Sequence, residues 1–264
     1  MNGVTARLAG IQARDVVRSR WILVYTSFFL LLTEGLLRFS ATDEHALLSL
    51  ATASLMIVPL AMLVLATIHV YNAREFTELL LAQPIARSSL FAGLYGGFAL
   101  PAAGGFLLGV GLPFLVRGGG DPAARGALVT LLLVGAALTF AFAALAFAIA
   151  LLTEDRLRGV GIALGVWLLT AVLYDGLVLI GTAVFSDYPI ERPLLGLMFA
   201  NPVDLGRVLL LMHLDAAALL GYTGAVFERF FSGARGTWLA AVMLAFWIAL
   251  PISFGARSFR RKDF

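Results

Sequence analysis

Cysteine is absent from all 264 residues, and lysine occurs once, at position 262. The first absence removes a disulfide framework, a thiolate metal site and a cysteine nucleophile. The second removes a G-x-x-x-x-G-K-[ST] phosphate loop, so the chain has no means of hydrolysing ATP alone. Gly118, Gly119 and Gly120 ahead of Asp121 and Pro122 lack that lysine and read as a turn. Histidine stands only at positions 45, 69 and 213, with no H-E-x-x-H and no pair at helical spacing, and no serine lies in a G-x-S-x-G context. Met198, Met212 and His213 have the spacing of packing residues, so no metal site is expected. With these signatures missing, a non-catalytic chain is expected.

Charge is scarce as well, at 13% of residues, where a soluble domain carries about 25%. Hydrophobic residues make up 61% of the chain and the mean hydropathy is +0.94. One buried core cannot absorb that excess, so lipid has to solvate much of the surface. Spanning segments must then satisfy their own backbone as helices, because the apolar runs are long and unbroken and show no ten-residue alternation. The fold class is all-α integral membrane.

A helix crosses a hydrocarbon core of about 30 Å with about 20 residues. Six windows qualify: residues 21–37, 46–70, 90–116, 127–152, 160–184 and 237–256. Pro59, Pro101, Pro113 and Pro251 fall inside them as kinks that neighbouring helices tolerate. With loops assigned alternately, one side holds Arg7, Arg14, Arg18, Arg20, Arg74, Arg87, Arg156, Arg158, Arg257, Arg260, Arg261 and Lys262. The other holds Arg38, Arg117, Arg125, Arg192, Arg207, Arg229 and Arg235. The richer side is expected to be cytoplasmic, with both termini there and a tail at 257–264. A cleaved signal peptide is disfavoured for the first window, since Thr33, Glu34 and Gly35 offer no small-x-small cleavage pattern. The +3 formal charge belongs to segment ends, and no basic patch with interleaved aromatics points to nucleic acid.

Residues 1–20 precede the first span. Arg7, Arg14 and Arg18 share one helical stripe with Leu8 and Ile11 beside them, while Asp15 intrudes, so an interfacial elbow helix and a loosely ordered basic tail both fit. Residues 71–90, between spans two and three, read YNAREFTELLLAQPIARSSL. Phe76, Leu79, Leu80 and Ile85 keep helical period. Leu79, Leu80 and Leu81 are too apolar for a solvated turn. A short amphipathic helix could bury them in a partner's groove inside a polar rim of Arg74, Glu75, Glu78 and Arg87, or could tuck them against its own bundle.

In this segment Arg74, Glu75, Glu78, Leu79, Leu80, Leu81, Pro84, Ile85 and Arg87 resemble, with one residue fewer between the two acids, the R-E-x-x-x-E-L-L-L-x-x-P-[IV]-x-R pattern of the ABC-2 type transporter permeases. Phe76 and Thr77 stand where that family usually has glycine, and Gly93 and Leu94 where it has Gly-Lys. The resemblance implies a coupling helix seated on a separate ABC ATPase subunit. ATP and magnesium would belong to that partner, with no cofactor in this chain. It further implies a permease homodimer in a bacterial inner membrane.

Residues 185–236 form a long connection before the sixth span. Within it, 194–200 and 203–214 are apolar but too short to span, separated by Asn201 and Pro202, which predicts a re-entrant or interfacial hairpin on the periplasmic side. Asn201 suits an N-cap, Pro202 the first helical position, and Asp204 the positive end of the restarted helix. Asp175 lies about 22 Å along the fifth span from Val160. It is either a helix-pairing or transport-path acid, or a marker of the waterline. Glu34 is expected to pair with Arg38 at i,i+4.

Ala163, Leu164, Gly165, Val166 and Trp167, then Asp175, Asn201, Pro202, Asp204 and Arg207, resemble the A-L-G-V-W, F-D-L-V-L and N-P-x-D-x-x-R features of the permease subunit of the nitrous oxide reductase maturation transporter. That likeness implies a periplasmic accessory protein and a sulfur or copper-related cargo for assembling a copper centre. Two other functions suit the same chain: an ABC-2 exporter of lipid, drug or polysaccharide, and a membrane scaffold that only recruits partners.

Overall fold

A computed structural model describes residues 2–82, 85–117, 122–184, 196–213 and 234–261. Among the described residues the ordered elements are helices and there is no strand. In chain order they are α1 (Asn2–Arg18), α2 (Arg20–Phe39), α3 (Asp43–Asn72), α4 (Arg74–Leu81), α5 (Arg87–Val116), α6 (Pro122–Leu152) and α7 (Arg156–Leu168). A π-helical stretch, Leu169–Leu173, joins α7 to α8 (Tyr174–Val184). Then come α9 (Pro202–His213) and α10 (Ala234–Arg261).

Six helices are long and apolar enough to cross a bilayer: Arg20–Phe39, Asp43–Asn72, Arg87–Val116, Ala124–Leu152, Arg156–Val184 and Trp238–Arg261. Each contains most of one sequence window. Those of about 30 residues measure about 45 Å, so their ends stand clear of the hydrocarbon. The helices run unbroken through Pro59, Pro101, Pro113 and Pro251.

Helix boundaries follow local chemistry. Ser19, with ψ near 130°, breaks the chain between α1 and α2. Thr42 Oγ1 accepts the His45 N–H at 3.3 Å and opens α3, where Asp43 and Glu44 occupy the positive first turn. Asp155 Oδ1 accepts the Leu157 N–H at 2.7 Å and opens α7.

The central helix is α5. Gly93, Gly97, Gly105 and Gly109 recur every four residues, with Pro101 completing the row, and α1 and α2 pack into it. Leu8 and Gln12 of α1 cover Gly93 and Gly97, while Thr26 and Phe29 of α2 cover Gly105 and Gly109. Small residues let backbones approach in this way where no hydrophobic force drives helices together in lipid. The buried face of α1 is Leu8, Gln12 and Val16, whereas Ile11 is exposed. On the opposite flank, α6 carries Phe142, Phe147 and Leu138 into the core, and Gly135 admits the Phe106 ring.

Arginines bind both ends of α5 to neighbouring carbonyls. Arg87 Nη1 donates to the Arg260 carbonyl near the end of α10 at 3.0 Å. Arg117 Nη1 donates to the Leu37 carbonyl at the end of α2 at 2.9 Å, and its Nη2 reaches Glu34 at 2.9 Å. Both cations meet the negative end of a helix. Glu34 also pairs with Arg38 at 2.7 Å, at the expected i,i+4 spacing. The bundle end with α4 and the Arg87 contact is the near end below, and the Arg117 contact marks the far end.

Candidate functional site

At the near end, the final turn of α3 runs almost directly into α4. Ala73 ends one helix and precedes the other. Thr77 is buried on the inward face of α4 and satisfies its hydroxyl locally by donating to the Ala73 carbonyl at 2.7 Å. Leu80, Leu81 and Ile85 pack partly against the core of their own bundle, while Phe76 projects outward and Leu79 is 71% exposed. The apolar face of α4 is therefore divided: half is covered by the chain itself and half faces out. Arg74 Nε pairs with Glu78 at 3.3 Å beside the outward half, and Glu75 is exposed. Pro84 lies outside the described residues.

A second set of near-end contacts anchors the end of α3, from which α4 starts. The Tyr71 hydroxyl bonds Thr153 and the Asp155 carbonyl in the turn between α6 and α7, and Gly159 leaves room for the Tyr71 ring. Arg156 Nη1 donates to Asn72 Oδ1 at 3.3 Å. Sequence reasoning missed this junction. Tyr71 begins the motif segment, but its partners lie more than eighty positions away.

In the far half of the bundle, residues that the sequence singled out separately come together. Arg207 of α9 pairs with Asp175 at the start of α8 and with Asp204 Oδ1, 3.4 Å away on its own helix. Asn201 is buried and caps α9, its Oδ1 accepting the Val203 N–H at 3.0 Å. Its Nδ2 donates to the Thr170 carbonyl at 2.8 Å. The π-helical stretch accounts for that acceptor: the Tyr174 N–H, which an α-helix would direct to Thr170, goes to Leu169 instead. Tyr174 donates its hydroxyl to the Leu197 carbonyl, and Trp247 Nε1 donates to the Phe199 carbonyl at 3.0 Å. Pro202 opens α9, and Gly206 allows it to press on Val134 and Leu55.

The cluster borders a cleft of about 470 Å³ between α3, the π-helical stretch and α9. Leu48, Ala51, Leu55, Met56 and Ala171 contribute apolar walls, and Arg207 is a charged residue in the lining. Among the described residues no group of three or more histidines, cysteines or acids is placed to hold a metal ion. Residues 185–195 and 214–233 of the connection lie outside the described residues, as does the Gly118–Asp121 turn, and nothing is described of the Met212 and His213 side chains.

No family model matches the chain. It is 29% identical over 276 residues to a protein of Pseudomonas aeruginosa named probable ABC transporter permease protein NosY, with 97% of each chain covered. A Stutzerimonas stutzeri protein of the same name is 26% identical over 275 residues, again with 97% of each covered. Six apolar helices support a multi-pass membrane protein, and the end-to-end likeness is to proteins named as permeases of the ABC transporter class. Within that class, both likenesses support a permease of the NosY type.

Proposed function

We propose that this chain is the membrane subunit of a transporter whose ATPase is a separate polypeptide, docked on the outward half of α4. Nucleotide-driven closure of the ATPase pushes on α4 and changes the far half of the bundle, as transport or as a conformational signal. The near end is cytoplasmic, in keeping with its excess of arginine, and the membrane is the bacterial inner membrane. In this reading α1 is the elbow helix, and α9 with the turn before it is the re-entrant hairpin of the periplasmic half. Two copies of the permease pair with two ATPases. The motif resemblance to the nitrous oxide reductase maturation permease, from Ala163 to Arg207, supports a role in assembling that enzyme's copper centre, with a periplasmic accessory protein at the far end.

The observation that carries the docking assignment is the divided face of α4. Leu79 and Phe76 stand outward beside an ion-paired rim, on a helix whose Thr77, Leu80 and Leu81 turn toward its own bundle. Covering one leucine is worth about 1.5–3 kcal/mol, so Leu79→Asp is expected to reduce ATPase recovery in co-purification by at least about tenfold. Undiminished stoichiometric recovery would remove α4 from the interface. A second reading, export of a lipid, drug or polysaccharide by the same architecture, draws support from the lateral apolar cleft beside Arg207.

A further inference from the structure

The cleft beside Arg207 combines two features that lipid solvation alone does not require together. Its walls are almost wholly aliphatic, with Leu48, Ala51, Leu55 and Met56 on one side and Ala171 on another, and about 470 Å³ is enough for a stretch of acyl chain. Arg207 is the charged residue of the lining, and two acids flank it from outside that lining. The Arg207 guanidinium, 26% exposed, is paired with Asp175, 43% exposed, and with the more buried Asp204.

We propose that this cleft binds a phospholipid with an ethanolamine headgroup from the leaflet at the far end of the bundle. One acyl chain lies along the aliphatic walls, the phosphate meets Arg207, and the ammonium meets Asp175.

The charge pattern selects the headgroup. The guanidinium is already answered by a carboxylate, so an anionic lipid would bring negative charge to a group that is at best neutral. A zwitterion brings both signs in the same order as the protein presents them. Arginine has five N–H donors in a fork suited to phosphate, and the contacts to Asp175 and Asp204 both use Nη1. Asp175 accepts from Arg207 through Oδ2 and is still 43% exposed, so it can take a further donor. A primary ammonium supplies three N–H groups, as a lysine does, whereas the quaternary ammonium of choline supplies none. Ethanolamine is thus distinguished from glycerol by charge and from choline by hydrogen bonding. Only the membrane setting is assumed, so this proposal can fail while the ATPase reading stands.

The test uses the full chain in mild detergent. Palmitoyl-oleoyl phosphatidylethanolamine, phosphatidylcholine and phosphatidylglycerol are supplied at equal mole fraction, and retained lipid is counted by native mass spectrometry. The protein is expected to retain the ethanolamine lipid at least about fivefold over either other lipid. Ala171→Trp, which fills the cleft, should bring its retention down to the level of the other two. Asp175→Asn should keep lipid bound but erase the preference for ethanolamine over choline. If Ala171→Trp does not elute as a monodisperse helical protein, Met56→Trp on the facing wall takes its place. Equal retention of the three lipids, a preference for phosphatidylglycerol or phosphatidylcholine, or ethanolamine retention unchanged by filling the cleft would each overturn the proposal.

Discussion

Asn201 shows how much one side chain can do in an apolar setting. It satisfies the first turn of α9 through one atom and the π-helical carbonyl of Thr170 through the other, and it is almost wholly buried. Replacing it with leucine keeps the volume but leaves a backbone donor and a backbone acceptor unmet. A buried polar group without a partner costs about 1–3 kcal/mol, and a kcal/mol corresponds to about 2–4 °C for a chain of this size. Asn201→Leu is therefore expected to lower the thermal midpoint in detergent by several degrees, read by loss of the monodisperse peak after heating. Asp175 and Arg207 make the complementary point, since each is costly in lipid and tolerable as a pair.

At the scale of elements, the glycine row on α5 determines which helices can lie close to it. A Cβ at Gly109 would fall 2.8 Å from the Phe29 Cβ and 2.9 Å from the Thr26 carbonyl oxygen, so α2 would have to retreat. At Gly104, on another face of the same helix, a Cβ would meet nothing within 4 Å. Gly109→Leu is expected to destabilise the fold by about 1–3 kcal/mol. Gly104→Leu should be neutral or slightly stabilising, because the helix loses a glycine. Comparing the two thermal midpoints separates packing from propensity, and equal behaviour would show that α2 does not depend on the row.

Much of this scale was legible in the chain itself. The spans follow from unbroken apolar runs, and the restart at Pro202 follows from Asn201 and Pro202 in sequence. The π-helical stretch was not legible, because one extra residue in a turn leaves no mark on an apolar run. The pairing of Asp175 with Arg207 was not legible either: both were singled out, but 32 positions separate them and no periodicity connects them. The same holds for Arg87, whose motif position suggested a rim contact and whose Nη1 reaches the carbonyl of Arg260.

For the molecule as a whole, the two candidate regions lie in opposite halves of one bundle and are joined through α3, which leads into α4 at one end and walls the cleft toward the other. A transporter or signalling permease requires communication between them, whereas a scaffold does not. Since the chain has no native cysteine, Leu197→Cys beside the Asn201 turn gives a single reporter. In a complex with the proposed ATPase, a non-hydrolysable ATP analogue is expected to change its maleimide labelling rate at least about twofold. An unchanged rate would favour the scaffold.

The arginine grips on α5 bear on where any such movement can occur. A rod clamped at both ends to its neighbours' carbonyls cannot slide along them without breaking a clamp, so α2, α5 and α10 behave as a frame. By contrast, no residue of the π-helical stretch or of α8 is buried in the chain, and polar ties to α9 and the turn before it help to hold this segment in place. Power delivered to the frame would therefore be felt first at its most loosely lashed spar, the far half of the fifth span.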